Sequence, residues 1–271
     1  MAIYFTGDLH GQFSRFFDPE FLLHIDDYRN CTPERDVVIA AGDFGGVWQN
    51  EKERGSYMYE HAEKELDKLA SLPFTVAFID GNHENFPRLD SYPEEQKFCG
   101  LVNRIRGNIF RLRQRGHIYE ILGKKLLCFG GAVSFDQGRR KEGLSWWPQE
   151  RSDDSDYINC INSLASVGRR VDYVLTHISP IEAMDYLGDQ RTIYWRGNQD
   201  LLNISDPMPA FLQFVAERTL FSRWYFGHSH YDEPFEIATP YGSRKYRALY
   251  HGCVKAAEET GGEADLKLQR T

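Results

Sequence analysis

The chain has 271 residues, of which 41% are hydrophobic and 14% aromatic, enough for a sizeable core in one or two domains. Its net charge of -8 excludes the basic footprint of a general nucleic-acid binder.

The sequence also indicates the cellular compartment of the protein. The first residues run directly into a predicted strand with no signal peptide, and no apolar stretch is long enough to span a bilayer, so we expect no membrane partner. The five cysteines are scattered and never in C-x-x-C spacing, which indicates reduced thiols rather than a disulfide framework. We therefore expect a cytoplasmic protein.

Three predicted strands in the first third of the chain each end at a polar turn. Residues 3–6 lead into Gly7-Asp8-Leu9-His10-Gly11, residues 36–41 into Gly42-Asp43, and residues 74–80 into Gly81-Asn82-His83-Glu84. Apolar, β-branched runs of this kind predict buried strands, and the carboxyl ends of such strands are where α/β sheets bind ligands. Asp8 and His10 are two residues apart, so an extended turn would point both side chains to the same side.

A helical pattern separates the second and third of these strands. One predicted helix, which stops before Pro73, carries four apolar residues on one face: Met58, Ala62, Leu66 and Leu69. Three strand–loop–helix units in succession predict a largely parallel α/β layer with right-handed crossovers.

An arginine-rich stretch, residues 104–115, follows. Arg111, Arg113 and Arg115 alternate with less polar residues, which predicts the solvated face of a hairpin that turns at Gly116. A rim that attracts phosphate is the alternative interpretation.

Two further predicted strands end at histidines. Residues 171–176 lead to His177, and residues 223–226 lead to Gly227-His228-Ser229-His230. Between them, residues 180–220 are less regular and are interpreted either as a cap over a site or as a plain connection. No repeat or linker divides the chain, so we expect a single domain over residues 1–255 and a polar tail at 256–271 whose composition is compatible with disorder.

Five strand ends thus carry candidate metal ligands. Any one of them alone is typical of an ordinary turn or a surface histidine. The five strand ends together are not typical of ordinary turns, because five of only nine histidines fall at strand ends beside Gly, Asp or Thr. Carboxylate and amide oxygens mixed with imidazoles suit Mn, Fe or Zn better than Ca or a thiolate-loving metal.

These motifs, in this order from residue 3 to about 252, resemble the calcineurin-like metallophosphoesterase family. The resemblance implies an α/β fold of two packed mixed β-sheets flanked by helices, and a site for two divalent ions, for which Mn²⁺ is the expected metal and Fe, Zn or Mg are alternatives. It implies that one ion is held by Asp8, His10 and His230, the other by Asn82, His177 and His228, and that Asp43 bridges the two. A hydroxide shared by the ions would attack phosphorus in line. His83 would be the catalytic histidine, protonating the leaving oxygen or stabilising developing charge.

The second motif departs from the serine/threonine phosphoprotein phosphatases, which Gly-Asp-x-His-Gly and Gly-Asn-His-Glu otherwise resemble. Those proteins continue as Gly-Asp-x-Val-Asp-Arg-Gly, where the later Asp supports the catalytic histidine and the Arg grips phosphate; here residues 42–48 read Gly-Asp-Phe-Gly-Gly-Val-Trp. The substrate-binding candidates to replace that arginine, chosen by nearness in sequence to motif loops, are Arg88, Arg139 and Arg140. Glu84 is interpreted as steadying its turn.

The predicted function is hydrolysis of a phosphate monoester, with a phosphorylated small molecule, a nucleotide or a phosphoprotein as substrate. A phosphodiesterase or nucleotide hydrolase with the same site is the close alternative, since a diester carries less charge to clamp. A catalytically decayed, metal-bound interaction module is a third hypothesis, which the intact set of seven candidate ligands disfavours.

Overall fold

The computed structural model describes residues 1–134, 136–188 and 206–256, and the strands in these ranges form two sheets. The first has seven strands in the order β13-β1-β2-β3-β6-β5-β4 and the second has six in the order β11-β12-β10-β9-β8-β7. Their bounds are β1 Ala2–Thr6, β2 Asp36–Ala40, β3 Thr75–Phe78, β4 Glu94–Lys97, β5 Gly100–Arg106, β6 Ile109–Leu112, β7 His117–Ile121, β8 Lys124–Phe129, β9 Tyr173–Thr176, β10 Arg223–Phe226, β11 Pro234–Thr239, β12 Gly242–Ala248 and β13 Cys253–Lys255.

Parallel strands form the centre of both sheets, and antiparallel strands lie at the edges. In the first sheet β1, β2, β3 and β6 are parallel, whereas β13, β5 and β4 pair antiparallel to their neighbours. In the second, β12, β10, β9 and β8 are parallel, with antiparallel β11 and β7 outside them. The predicted pair of mixed sheets is confirmed.

The central strands β1, β2 and β3 of the first sheet are buried on both faces, because the second sheet covers one face and helices cover the other. Ile3 and Phe5 of β1 point to the core shared by the two sheets, where Phe5 stacks on Tyr225 of the second sheet at 4.0 Å between ring centroids. Tyr4, between them in sequence, points to the opposite face and packs under the helices. Strands buried on both faces read as continuous apolar runs.

Helices cover the outer face of each sheet. Leu66 and Leu69 pack in the cluster beneath the first sheet, and Leu164 and Leu212 pack in the cluster beneath the second. The helices among the described residues are α1 Pro19–Leu23, α2 Tyr57–Leu69, α3 Phe86–Asp90, α4 Asp154–Ser166, α5 Ile181–Tyr186 and α6 Met208–Arg218. None of the helices in the described ranges combines the length and apolar character needed to cross a membrane.

Helix α2 differs from its predicted face. Leu66 and Leu69 are buried as expected, and Tyr59 joins them, but Met58 is 57% exposed and Ala62 is only partly buried. The predicted face is therefore correct at Leu66 and Leu69, and in the first turn of the helix Tyr59 rather than Met58 is the buried residue.

The prediction of a solvated hairpin for the arginine-rich stretch is wrong. β6 and β7 belong to different sheets, so residues 113–116 carry the chain between sheets rather than turning a hairpin. Arg111 and Arg115 are buried, not solvated. The Arg111 guanidinium donates from Nε to Oδ1 of Asp80 at 2.6 Å and from Nη1 to Asp90 at 2.6 Å, and Arg115 donates to the carbonyls of Gln149 and Arg151. A buried guanidinium is tolerated because these acceptors compensate its charge.

Two predicted segments fall partly or wholly beyond the described ranges. Of residues 180–220, predicted as a cap or a connection, positions 189–205 lie outside the described residues, and the remainder includes α5 and α6. In the predicted tail, residues 257–271 lie outside them as well.

Candidate active site

The carboxyl ends of parallel strands from both sheets meet at one place. β1, β2 and β3 of the first sheet lead into Asp8 and His10, Asp43, and Asn82 and His83, while β9 and β10 of the second lead into His177 and into His228 and His230. Because the strands run parallel, these ends share one edge of each sheet, and face-to-face packing brings the two edges together. The structure thus gathers all seven predicted ligands.

The turns that carry these side chains are strained. His10, Asp43, His228 and His230 all have positive φ angles, between 45° and 61°. Positive φ in a non-glycine residue costs about 1–3 kcal/mol and persists only where the surroundings over-determine it. Four such residues in one cluster indicate that the surrounding structure holds these turns in place, as it does at functional sites.

Asp8, His10 and His230 form the first group of candidate ligands. Nε2 of His230 lies 3.1 Å from Oδ2 of Asp8 and 3.4 Å from Nε2 of His10. Ligand atoms of the three residues lie within 4.8 Å of one another, close enough to share one ion. Burial alone would raise the pKa of Asp8, but the His230 hydrogen bond and other nearby donors lower it, which favours the carboxylate.

Asn82, His177 and His228 form the second group. Nε2 of His177 lies 3.0 Å from Oδ1 of Asn82 and 3.2 Å from Nδ1 of His228. Nδ1 of His177 lies 2.8 Å from the carbonyl oxygen of Ala41. A carbonyl only accepts, so Nδ1 carries a proton, and in the neutral imidazole the lone pair of Nε2 therefore faces the group.

Asp43 lies between the two groups. Its Oδ1 is 3.4 Å from Nε2 of His177, and its Oδ2 is 3.7 Å from Nε2 of His10. The backbone N–H of His83 donates to Oδ1 at 2.8 Å and fixes the carboxylate. One oxygen of Asp43 therefore faces each group.

The donor set fits metal ions. In the second group the lone pair of His177 Nε2 faces two oxygens, of Asn82 and Asp43, that themselves only accept. With His177 neutral, these acceptors at 3.0–3.4 Å repel one another unless a cation lies among them. Imidazole, carboxylate and amide ligands together suit a first-row divalent ion.

A buried hydrogen-bond chain orients Asn82. Its Nδ2 donates to Oγ of Ser134 at 2.9 Å, and that hydroxyl donates to Oε2 of Glu150 at 2.7 Å. Glu150 also accepts from the Ser134 backbone N–H and from Gln137. The chain turns the amide so that Oδ1, not Nδ2, faces His177.

A second set of contacts holds the first group. Arg15 donates to the backbone carbonyls of Asp8 and Tyr250, at 2.8 and 2.7 Å, and so ties the first ligand loop to the loop between β12 and β13. The Tyr250 ring stacks on His230 with centroids 4.4 Å apart. Asp232 accepts from three successive backbone N–H groups, at residues 250–252, and shapes that loop.

These supporting residues were missed in the sequence analysis. Asp232 lies two residues after His230, and this closeness to a ligand motif is a signal in the sequence that could have identified it. Ser134 and Glu150 carry no such signal, because Ser134 is 52 residues from Asn82 and its partnership exists only in the folded chain.

His83 lies beside the ligands and lines an open cavity. Its ring centroid is 5.3 Å from that of His10. Burial lowers the pKa of His83, the Asp43 charge opposes this, and Arg140 adds to the lowering. Glu84 accepts from the backbone N–H groups of Phe44 and Gly45, so it ties its own turn to the loop after β2 rather than steadying that turn alone.

The three candidate arginines are placed differently. Arg140 lines the cavity with His83, and its Nε donates to Asp136 at 2.7 Å. Arg139 is exposed. Arg88 is not brought to the site: it pairs with Glu51 and donates to the hydroxyl of Tyr59.

Two mixed sheets whose carboxyl ends gather carboxylate, amide and imidazole side chains in one cluster form a candidate metal centre. The family model for calcineurin-like phosphoesterases matches residues 1–232. The chain belongs to the calcineurin-like phosphoesterase family, whose members are metal-dependent and act on phosphate esters. A search of curated protein sequences found no match to this chain.

Proposed function

We propose that this protein hydrolyses a phosphate monoester at a site for two divalent ions, with Mn²⁺ as the expected metal. The observation that carries the proposal is the position of Asp43, one carboxylate oxygen facing Asp8, His10 and His230 and the other facing Asn82, His177 and His228. Bound there, two ions would supply a water-derived nucleophile at neutral pH and positive charge for the phosphoryl oxygens.

His83 is the proposed catalytic histidine. It lies beside His10 and lines the cavity without belonging to either ligand group. From that position its imidazole can donate a proton to the leaving oxygen or stabilise charge that develops there. Its backbone is fixed by the hydrogen bond to Asp43, so the ring sits on a rigid turn.

Arg140 is the proposed phosphate clamp in place of the missing second-motif arginine. Of the three candidate arginines, it is the one that lines the cavity with His83. Its pairing with Asp136 would hold the guanidinium in position, and the remaining N–H groups can meet phosphate oxygens.

A phosphodiester is the second candidate substrate, because residues 44–48 supply no arginine beside the ligands. The test compares p-nitrophenyl phosphate with bis-p-nitrophenyl phosphate on metal-stripped protein refilled with Mn²⁺. We expect the monoester to be preferred. In Arg140→Ala, KM for the monoester should rise about 10-fold or more, as for loss of a charge-assisted hydrogen bond worth about 1.5–3 kcal/mol. Arg139→Ala, its exposed neighbour, is the matched control and should change KM less than twofold.

Preference for the diester, with Arg140→Ala indistinguishable from Arg139→Ala, would replace the monoester proposal with the diester one. Absence of turnover of both esters by protein that binds two ions would contradict a phosphoesterase function.

We also propose that residues 1–255 form one domain and that the protein is cytoplasmic. The first proposal is supported by β13, which pairs with β1 and so joins the last described strand to the first. The second is supported by five cysteines that are all free thiols, as a reducing compartment would keep them.

A further inference from the structure

A cavity of about 420 Å³ lies between helix α2, the loop after β2 and the ligand cluster; we name it the α2 cavity. His10, His83 and Arg140 line the end at the proposed catalytic site. Small-molecule pockets span roughly 300–1,000 Å³, so this cavity has room for one modest group beyond the phosphate itself. A group that enters it lies beside His83, on the side where the leaving oxygen would depart.

Away from these residues the cavity is lined by Phe13, Trp48, Met58 and Ala62, beside the polar residues Gln49, His61 and Glu65. Met58 is 57% exposed, so its thioether is accessible to a ligand. Trp48 is held by an edge-to-face contact with Trp147, at 5.2 Å between centroids, so its ring is in place before any ligand arrives. A thioether and an indole are favourable partners for a flat aromatic group.

Charge argues against a polyanionic occupant. Arg140 is the only lysine or arginine among the described residues that line the cavity, and the carboxylate of Glu65 lies on its wall. A chain of further phosphates would meet the Glu65 carboxylate, with the imidazole of His61 but no second permanently charged cation beside it. The cavity therefore suits an uncharged group attached to a single phosphate.

We propose that the substrate is a monophosphate ester whose leaving group is an aromatic ring, held in the α2 cavity against Trp48 and Met58. This inference rests on the proposed function for the orientation of the ester. The ring would be bound by side chains of α2 and of the loop after β2, neither of which supplies a metal ligand beyond Asp43.

The test measures binding rather than turnover. Benzylphosphonate and ethylphosphonate are not hydrolysed and differ only in the ring, and their Kd values on Mn²⁺-loaded protein would be measured by titration calorimetry. We expect benzylphosphonate to bind at least about 10-fold more tightly, as for one apolar group in a fitted pocket. Met58→Ser should remove most of this preference. Ala62→Phe, which places a bulky side chain in the cavity, should abolish it. Ile158→Ser is the matched control, because Ile158 is 58% exposed on α4 and remote in sequence from the site.

Equal affinity for the two phosphonates in the unaltered protein would overturn the inference, as would a preference that survives both α2 substitutions. Hydrolysis of phenyl phosphate and methyl phosphate, in which oxygen takes the place of the methylene group of the two phosphonates, separates this inference from the proposed function when measured in parallel. Selective binding without turnover of either ester would contradict the phosphoesterase function and leave the ring-binding cavity standing. Turnover of both esters with no preference for the ring would support the phosphoesterase function and contradict the ring-binding cavity.

Discussion

Removing the hydroxyl of Ser134 should weaken metal binding at one of the two sites. In Ser134→Ala, Nδ2 of Asn82 loses its acceptor at 2.9 Å and Oε2 of Glu150 loses a donor at 2.7 Å, both in a buried environment. A buried polar group without its partner costs about 1–3 kcal/mol. The amide of Asn82 is then free to rotate, and loss of such a supporting contact typically lowers metal affinity about 10–100-fold.

The assay is calorimetric titration of chelator-stripped protein with Mn²⁺. We expect two binding events in the unaltered protein. In the variant, the event assigned to Asn82, His177 and His228 should weaken about 10–100-fold, while the other should stay within about threefold. Ser71→Ala is the control, since the Ser71 hydroxyl donates to a backbone carbonyl on the exposed surface at the end of α2. Unchanged affinity for both ions, or equal weakening of both, would refute the reasoning.

Three further substitutions test other parts of the structure. Gly81→Ala should displace Asp43 and lower bound metal below half of normal, because a Cβ there would overlap the Asp43 carboxylate, whereas Gly107→Ala meets nothing and should bind normally; elemental analysis measures both. His83→Gln should lower kcat about 10²-fold or more for an alkyl phosphate and less for p-nitrophenyl phosphate, since a good leaving group needs little proton donation. Glu182 should support stability only above acidic pH: burial alone would raise its pKa, but its hydrogen-bond donors outweigh this and lower it. Its contribution to stability is therefore complete above about pH 4.5 and is lost as pH falls through the depressed pKa. In Glu182→Gln, the free energy of unfolding, measured by urea titration at a series of pH values, should fall less steeply below about pH 4.5.

Each has an outcome that would contradict it. Full metal content in Gly81→Ala would mean that Asp43 can move without loss of the site. Equal losses for both esters in His83→Gln would remove proton donation from its role. If Glu182→Gln loses stability at low pH as steeply as the unaltered protein, other carboxylates determine that loss, despite the hydrogen bonds from Arg244, Gln213 and Tyr246 to Glu182.

The sequence was sufficient where structure follows from local pattern. Apolar runs that stop at Gly-Asp or Gly-Asn predict strands with polar carboxyl ends, and parallel pairing then brings those ends together without further information. The arrangement of Asp8, Asp43 and Asn82 is of this kind.

It failed where the environment of a side chain depends on a distant partner. Arg111 looked solvated because alternation with apolar neighbours is typical of an exposed strand face, yet Asp80, 31 residues away, neutralises it in the interior. Met58 looked like core because its spacing matched Leu66 and Leu69, yet the stripe that faces the sheet begins at Tyr59. The Ser134–Glu150 pair could not be found from pattern at all, because the hydrogen bonds from Asn82 to Ser134 and from Ser134 to Glu150 form only after folding.

The central claim is that Asp43 joins two metal sites. The most direct measurement counts Mn²⁺ ions per chain by elemental analysis, after refilling and removal of free metal, in the unaltered protein and in Asp43→Asn, with p-nitrophenyl phosphate hydrolysis measured on the same samples. We expect two ions and turnover in the unaltered protein, and fewer than two ions with activity abolished in the variant. One ion or none in the unaltered protein, or two ions with retained turnover in Asp43→Asn, would contradict the account.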